Sequence, residues 1–176
     1  MTAGKTTGHA VSLSKALASD RGLLENLAQF YAYDFSEVLP MHVAADGRFA
    51  EVDLGAWWVD SWRHPFLVRV GESIAGFALI ATRSKITGES GTTDMTEFFV
   101  MRRFRRSGVG RAAAVLAFDL FPGRWEVRQR TENPGATAFW RRAIEAYAKD
   151  GYSESTWVRP DWSEVVQTFS NSSKRA

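Results

Sequence analysis

The segment from Glu97 to Arg111 restricts the possible folds of this chain more than any other. An apolar stretch, Glu97-Phe98-Phe99-Val100, leads into a turn with glycine at positions 108 and 110, and an alanine-rich run continues to Phe121. The first stretch is typical of a buried strand, and the apolar spacing of the last is typical of a helix with one buried face. We therefore expect a strand, a glycine turn and a helix in succession, as in folds that pack helices on a sheet.

The turn of this segment is predicted to bind an anion. The first N–H groups of a helix have no partner within it and lie at the positive end of its dipole, and glycine lets an anion approach the backbone. The formal net charge of the chain is only +2, yet five arginines lie within ten positions: Arg102, Arg103, Arg105, Arg106 and Arg111. A tight cluster beside glycines favours a small phosphate ligand over nucleic acid. A solvated basic loop is the alternative.

Two familiar phosphate-binding turns fit the segment less well. A P-loop needs a lysine followed by serine or threonine after its second glycine, and Arg111-Ala112 stand there instead. Gly108, Gly110 and Ala113 satisfy a relaxed dinucleotide fingerprint, which makes a Rossmann domain the rival. In that fold the glycine turn directly follows the first strand, whereas here a basic stretch intervenes and several predicted elements precede it.

The remaining pattern predicts one mixed α/β (α+β) domain. Helices are expected over residues 20–38, 54–62, 108–121 and 134–149. Strands are expected over residues 9–13, 66–70, 74–82, 95–101, 125–130, 152–158 and 165–169, with a polar loop over 86–93. Because no repeat or linker divides the chain, we expect a single domain over 9–171, between a flexible N-terminus at 1–8 and a frayed C-terminus at 172–176.

Composition excludes several kinds of site and location. With 45% hydrophobic and 24% charged residues, the chain can bury one core. It has no cysteine, and its three histidines lie at no spacing that pairs ligands on a helix, so we expect no metal site. No apolar run approaches the roughly 20 residues that span a bilayer, and the N-terminus is unlike a secretory signal. We therefore expect a cytoplasmic protein with no membrane partner.

Two motifs together resemble the GNAT superfamily of N-acetyltransferases. Arg105-x-x-Gly108-x-Gly110 after an apolar strand is similar to its acyl-CoA motif, and Asn133-x-x-Ala136-x-x-Phe139-Trp140 is similar to its second cofactor motif. Residues 31–37, 65–66, 76–78 and 125–127 resemble a bacterial subgroup of predicted acetyltransferases. The resemblance covers nearly the whole chain. It implies a mixed central sheet of about six or seven strands, with helices on both faces and a splayed central strand.

The resemblance also implies acetyl-CoA as the cofactor and names the residues that would bind it. The strand residues Phe98, Phe99 and Val100 would offer main-chain groups to the pantetheine arm. The diphosphate would be held by the turn, whose members are Arg105, Arg106, Ser107, Gly108, Val109, Gly110 and Arg111. Asn133 would reach the cofactor from the other side of the cleft, where Ala136, Phe139 and Trp140 form the wall. Core packing is the alternative role of both aromatic residues.

The reaction implied is transfer of an acetyl group to a primary amine of a small molecule or peptide, by direct attack in a ternary complex. Glu97 matches the position of the catalytic base in some members of the superfamily, and a salt bridge with a nearby arginine is the alternative. Trp140 stands where the superfamily usually has its acid, a tyrosine. Tyr31, Tyr33 or Tyr152 could supply a hydroxyl instead, and because a thiol has a pKa near 8.5, a missing acid need not abolish turnover. A CoA-binding module with weakened catalysis is therefore the alternative function.

The acceptor pocket is expected at the first helix and the final strand pair. These regions contain Tyr33, Asp34, Trp58 and Trp157, together with Glu37 and Trp57. An aromatic wall with a carboxylate suits a small cationic amine, and filling of the core is the alternative role of the tryptophans. No nucleic-acid partner is expected, and a homodimer is compatible with the sequence.

Overall fold

The computed structural model describes residues 10–49 and 54–172, and it contains seven strands and three α-helices in those residues. The strands are β1 (Val11–Lys15), β2 (Arg63–Val70), β3 (Ser73–Arg83), β4 (Ser90–Val100), β5 (Arg124–Arg130), β6 (Ser153–Val158) and β7 (Ser163–Ser170). The helices are α1 (Arg21–Phe35), α2 (Val109–Leu120) and α3 (Pro134–Glu145). The termini predicted at 1–8 and 172–176 lie outside the described residues, apart from Ser172.

The strands form one mixed sheet in the order β1-β2-β3-β4-β5-β7-β6. Every neighbouring pair is antiparallel except β4 and β5, which are parallel. A parallel pair needs a crossover connection, and α2 supplies it between β4 and β5. This sheet confirms the predicted fold class and its number of strands.

The central strand β4 separates from β5 partway along its length. Residues Thr92–Met95 pair with Arg124–Val127, whereas Thr96–Val100 have no β5 partner in the described part of the chain. On its other side β4 stays paired with β3, with a register shift between Leu79 and Ile80. A wedge therefore opens between β4 and β5 toward the end of β4, as expected for a splayed central strand.

Helices cover both faces of the sheet, because side chains of a strand alternate between its faces. On one face, Leu24 and Leu27 of α1 pack against Phe77, Leu79 and Phe99. On the opposite face, α2 and α3 pack against strand residues that include Ile80, Met95, Trp125 and Val127. The α1 face and the α2/α3 face are named accordingly below. None of the helices in the described ranges has the length and apolarity needed to cross a bilayer.

Two secondary-structure predictions were wrong. The helix expected over 54–62 is a single 3-10 turn, Gly55–Trp58, because Trp57 is buried against the α1-face core and the chain then enters β2 at Arg63. The polar loop expected over 86–93 is wrong for Ser90–Thr93, which begin β4. At this end of β4 the buried side chains are the polar Thr93 and Asp94, so a hydrophobic pattern does not indicate a strand there.

Candidate active site

A cleft of about 640 Å³ lies at the open end of the wedge between β4 and β5. Its walls come from α1, the end of β4, the turn before α2, the first turn of α2 and one side of α3. The residues predicted to bind the cofactor that line it are Phe98, Phe99, Val100, Arg105, Arg106, Gly108, Gly110, Arg111, Asn133, Ala136, Phe139 and Trp140. Two others do not: Ser107 Oγ donates to the Phe104 carbonyl oxygen at 2.8 Å, and Val109 packs in the core.

The N-terminus of α2 opens into this cleft. Gly108 precedes the helix with a left-handed φ of 86°, and no side chain caps the helix. Since the first intrahelical hydrogen bond joins the Ala112 N–H to the Gly108 carbonyl oxygen, the N–H groups of Val109, Gly110 and Arg111 come before it. A Cβ at Gly110 would lie 3.2 Å from Phe139 Cε2, so glycine at this position allows α2 and Phe139 of α3 to approach this closely. This geometry suits a bound anion.

The arginines of the turn divide into two groups. Arg105 Nε donates to the Val100 carbonyl oxygen at 2.6 Å, and its Nη2 pairs with Asp34 of α1. Arg102 also binds Asp34, with Nε 2.9 Å from Oδ1. In contrast, Arg106 and Arg111 line the cleft without a carboxylate partner in the described residues. Arg105, predicted to bind the cofactor, lines the cleft, but its guanidinium is held against α1 by Asp34.

Arg142 of α3 is a cleft residue that sequence reasoning missed. It lines the cleft opposite Arg106 and Arg111, and no carboxylate in the described residues pairs with it. The available signal was its spacing, since Arg142 follows Phe139 by three residues and so lies on the same face of the helix. The cleft therefore presents guanidinium groups from two walls.

The aromatic wall both lines the cleft and fills the core. Phe139 stacks on Phe98 of β4 with ring centroids 6.0 Å apart, and Trp140 meets Phe98 at 5.0 Å and an angle of 63°. Only 5% of Trp140 is exposed, and it belongs to the α2/α3-face core. Asn133 begins α3 as its cap, with Oδ1 accepting a 3.0 Å hydrogen bond from the Ala136 N–H. Phe139 and Trp140 thus line the cleft and pack in the core at the same time, and their contact with a cofactor stays a prediction.

Glu97 lies on the α1 face and pairs with a tyrosine, not with an arginine. The Tyr31 hydroxyl donates a short hydrogen bond to Glu97 Oε2. Burial raises the pKa of Glu97 to about 7, while the bond from Tyr31 and the charge of Arg128 oppose that rise. Burial and the neighbouring Glu97 also hold the pKa of Tyr31 well above its usual value. At neutral pH the pair thus combines a carboxyl that can change charge with a phenol that keeps its proton.

Tyr31 lines the cleft, unlike the other tyrosines considered as an acid. Tyr33 is exposed, and Tyr152 packs beside the α2/α3-face core. The fourth tyrosine, Tyr147, packs in the α2/α3-face core and donates to Asp119 Oδ1 at 2.6 Å. Of the tyrosines that the sequence left open, Tyr31 is thus the one that lines the cleft.

The predicted acceptor residues are only partly brought together. Asp34 and Glu37 line the cleft, but the carboxylate of Asp34 is already bound by two arginines. Trp58 packs beside the α1-face core, and Trp157 of β6 lies under the Arg159 guanidinium at 4.4 Å. The exposed Tyr33 does not line the cleft. In the described ranges, no group of three His, Asp or Glu side chains is placed to hold a metal ion.

Comparisons with known proteins agree with this architecture. The sequence model of the acetyltransferase (GNAT) family matches residues 29–152. An acetyltransferase from Thermus thermophilus is 18% identical with a TM-score of 0.68, over 92% of this chain and 97% of that one. The spermidine N-acetyltransferase of Vibrio cholerae, solved with CoA and spermine, is 14% identical with a TM-score of 0.62, over 93% and 96%. No curated protein matches the sequence significantly.

Proposed function

Because the chain belongs to the GNAT family of acetyltransferases, we propose that it transfers an acetyl group from acetyl-CoA to a primary amine of a small molecule or peptide. The observation that carries this proposal is the cleft at the wedge, where the edge of β4, an uncapped helix N-terminus and arginines without a carboxylate partner lie side by side, as far as the described residues show. An extended ligand with an anionic group at one end fits these three features in that order. The enzyme class is the one expected from the sequence, an N-acetyltransferase.

The chain has residues suited to each part of the cofactor. The free edge of β4 at Phe98–Val100 offers main-chain groups to a pantetheine arm, although the Val100 carbonyl oxygen already accepts from Arg105. The N–H groups at the start of α2, with Arg106 and Arg111, would hold the diphosphate. Arg142 adds a positive group from the opposite wall. A second depression, lined by Gly108, Arg111, Ala143 and others between α2 and α3, continues from this end.

The cofactor would supply an activated acetyl thioester, and the chain would manage the protons. An alkylammonium has a pKa near 10.4, so forming the neutral amine at neutral pH costs about 4 to 5 kcal/mol. Glu97, with a pKa raised to about 7, is poised to accept that proton. The amine then attacks the acetyl carbon directly, with both substrates bound.

Tyr31 is the acid that this site offers in place of the usual tyrosine. The indole of Trp140 cannot protonate a thiolate, whereas the Tyr31 hydroxyl lies in the cleft and keeps its proton at neutral pH. A thiol has a pKa near 8.5, so the leaving thiolate needs little assistance. Trp140 therefore does not by itself imply the alternative function, a CoA-binding module with weakened catalysis.

We propose a cationic amine as the acceptor. The spermidine N-acetyltransferase that resembles this chain was solved with the polyamine spermine, which supports the class but not a particular compound. Glu37 adds a carboxylate to the cleft on the α1 side, and Glu97 of β4 is hydrogen-bonded to the cleft residue Tyr31. A cytoplasmic location, the lack of a nucleic-acid partner and a homodimer stay predictions.

A thiol-release assay with a panel of amines tests the proposed function. We expect CoA release from acetyl-CoA only when a suitable amine is present, and a rate at least about a hundredfold lower in Glu97→Gln, as for loss of a general base. Glu154→Gln is the matched control, because Glu154 is paired with Arg141 of α3, on the other face of the sheet. Saturable CoA binding without turnover on any acceptor would instead favour the binding module.

A further inference from the structure

Three charged side chains are buried where β4 and β5 part. Arg128 of β5 donates to Asp94 of β4 through Nε at 2.8 Å and Nη2 at 3.1 Å, and to Glu164 of β7 through Nη1 at 2.5 Å. The exposed fractions of these side chains are 6% for Arg128, 0% for Asp94 and 13% for Glu164. We call Asp94, Arg128 and Glu164 the vertex cluster.

The vertex cluster lies at the point of the wedge. The last β4–β5 pair joins Met95 to Val127, so Arg128 is the first β5 residue beyond the paired region. Thr96, the first unpaired residue of β4, donates its hydroxyl to Asp94 Oδ1 at 2.7 Å. Both carboxylate oxygens of Asp94 are therefore occupied, and the cluster joins the two strands where they begin to separate.

The vertex cluster shares the α1 face with Glu97. Asp94 lies opposite Ala81 and Glu97 lies opposite Leu79, and both of those β3 residues pack in the α1-face core. The charged or titratable groups that face Glu97 are Tyr31 from α1, Asp94 from β4, Arg128 from β5 and Glu164 from β7. On this face β3 contributes Phe77, Leu79 and Ala81, which are apolar. The pairing of Asp34 with Arg102 and Arg105 follows Tyr31 along α1.

Stability is a weak reason for this arrangement. A buried ion pair recovers little more than the cost of removing its charges from water, and apolar residues of similar volume often stabilise a fold as well or better. The charges of the vertex cluster do act on Glu97: Arg128 lowers its pKa, and Asp94 and Glu164 raise it, each less than burial does. The vertex cluster holds one cation and two carboxylates, which leaves one net negative charge beside a carboxyl that must ionise to accept a proton.

We propose that Arg128 and Glu164 are positioning residues that set the charge state of Glu97, and through it the pH at which the amine can be deprotonated. This inference rests on the proposed function, in which Glu97 is the base. Arg128 favours the ionised carboxyl of Glu97 and Glu164 opposes it. Removing the charge of Arg128 should therefore raise the pKa of Glu97, and removing that of Glu164 should lower it.

Glu164→Gln is the decisive variant, because it is isosteric and leaves the bond between Arg128 and Asp94 intact. Loss of this charge removes a repulsion from Glu97 and leaves Arg128 less neutralised. We expect the acid limb of the kcat/KM profile to move to lower pH by about half to one unit. Arg128→Gln, where it folds, moves the limb to higher pH. Glu154→Gln removes a paired glutamate of the same hairpin on the opposite face, and it leaves the limb unchanged.

A second readout does not depend on turnover. In protein labelled with carbon-13 at the glutamate side-chain carboxyl, the resonance missing from Glu97→Gln identifies Glu97, and its titration midpoint should fall in Glu164→Gln. An unchanged or raised midpoint would overturn the inference even if Glu164→Gln lowers the melting temperature. If the wild-type protein transfers no acetyl group, the proposed function fails, and the carboxyl titration still decides whether the vertex cluster controls Glu97.

Discussion

At the scale of single residues, burial brings the pKa of Glu97 close to neutral pH, and it makes the ionised carboxyl less favourable in the folded protein. The pKa of this carboxyl rises from 4.5 to about 7 because it leaves water, although Tyr31 and Arg128 partly compensate. A group held near neutral pH can both accept and release a proton under working conditions. The same shift makes the ionised form less stable in the folded protein than in the unfolded chain.

This shift predicts a pH dependence of stability. The unfolded chain releases the proton near pH 4.5 and the folded protein releases it near pH 7, so the contribution of Glu97 to stability falls as pH rises through that window. Glu97→Gln should remove this fall. Its free energy of unfolding, relative to that of wild type, should therefore rise by up to about 3 kcal/mol between pH 5 and pH 8. Urea unfolding at both pH values measures it. If the unfolding free energies of wild type and Glu97→Gln differ by the same amount at pH 5 and at pH 8, the raised pKa is contradicted.

At the scale of elements, the close contact between β3 and β4 positions one wall of the cleft. A Cβ on Gly76 would lie 1.9 Å from the Phe99 carbonyl oxygen, which is backbone and cannot move aside without moving β4. Gly76 pairs with Val100, at the end of the free edge of β4. The glycine is therefore required by the approach of a strand, not by a turn.

Gly76→Ala should destabilise the protein by about 3 kcal/mol or more, through displacement of the end of β4. Gly22→Ala is the matched control, because Gly22 lies within α1 and a Cβ there meets nothing within 4 Å. That control should gain up to about 1 kcal/mol from better helix propensity. Thermal unfolding of both variants tests this, and equal melting temperatures would show that β4 is not held this closely.

A second prediction at this scale concerns Asp34, which links α1 to the turn that precedes α2. Its carboxylate binds Arg102 and Arg105 and so orders the turn before the N–H groups of α2. Asp34→Asn should weaken CoA binding about threefold to tenfold, which corresponds to about 1 kcal/mol for a partly exposed ion pair. Glu37→Gln, in the same cleft, should change it less. Tighter binding by Asp34→Asn would mean that Asp34 restrains Arg105 from the ligand.

Local sequence patterns predicted those elements whose ends are marked by glycine, asparagine or proline. Gly108 and Gly110 after an apolar strand predicted the turn before α2, and Asn133-Pro134 predicted the start of α3, which the structure confirms. Ser90–Thr93 carried no such signal, because the strand begins with polar residues whose partners lie on β3 and β5. Hydrophobic periodicity cannot identify a strand in which a buried residue is charged and pairs with a residue 34 positions away, as Asp94 pairs with Arg128.

The site itself depends on contacts that no local pattern contains. Tyr31 and Glu97 are 66 residues apart, and Asp34 is 71 residues from Arg105. The roles assigned to Glu97 and to the cofactor turn stay predictions, and the sequence could not show which tyrosine lies beside Glu97 or that Asp34 is already paired. These pairings follow only from the three-dimensional arrangement of α1 over β4.

At the scale of the whole molecule, the cleft lies between two parts of one sheet. One part contains β1 to β4 with α1, and the other contains β5 to β7 with α3. Within the part of the chain that the structure describes, four residue pairs join the two across β4 and β5, and the strands separate beyond them. A ligand that binds both walls would therefore stabilise the molecule as a whole, by an amount that grows with its concentration above the dissociation constant.

Calorimetric titration of the purified, folded protein with CoA and with acetyl-CoA tests the central claim most directly. The account predicts saturable binding of one molecule per chain, weakened at least about tenfold when Arg111 is replaced by alanine, since Arg111 lies at both the start of α2 and the second depression. The contradicting result is the absence of heat with either compound, under conditions where circular dichroism shows the chain to be folded.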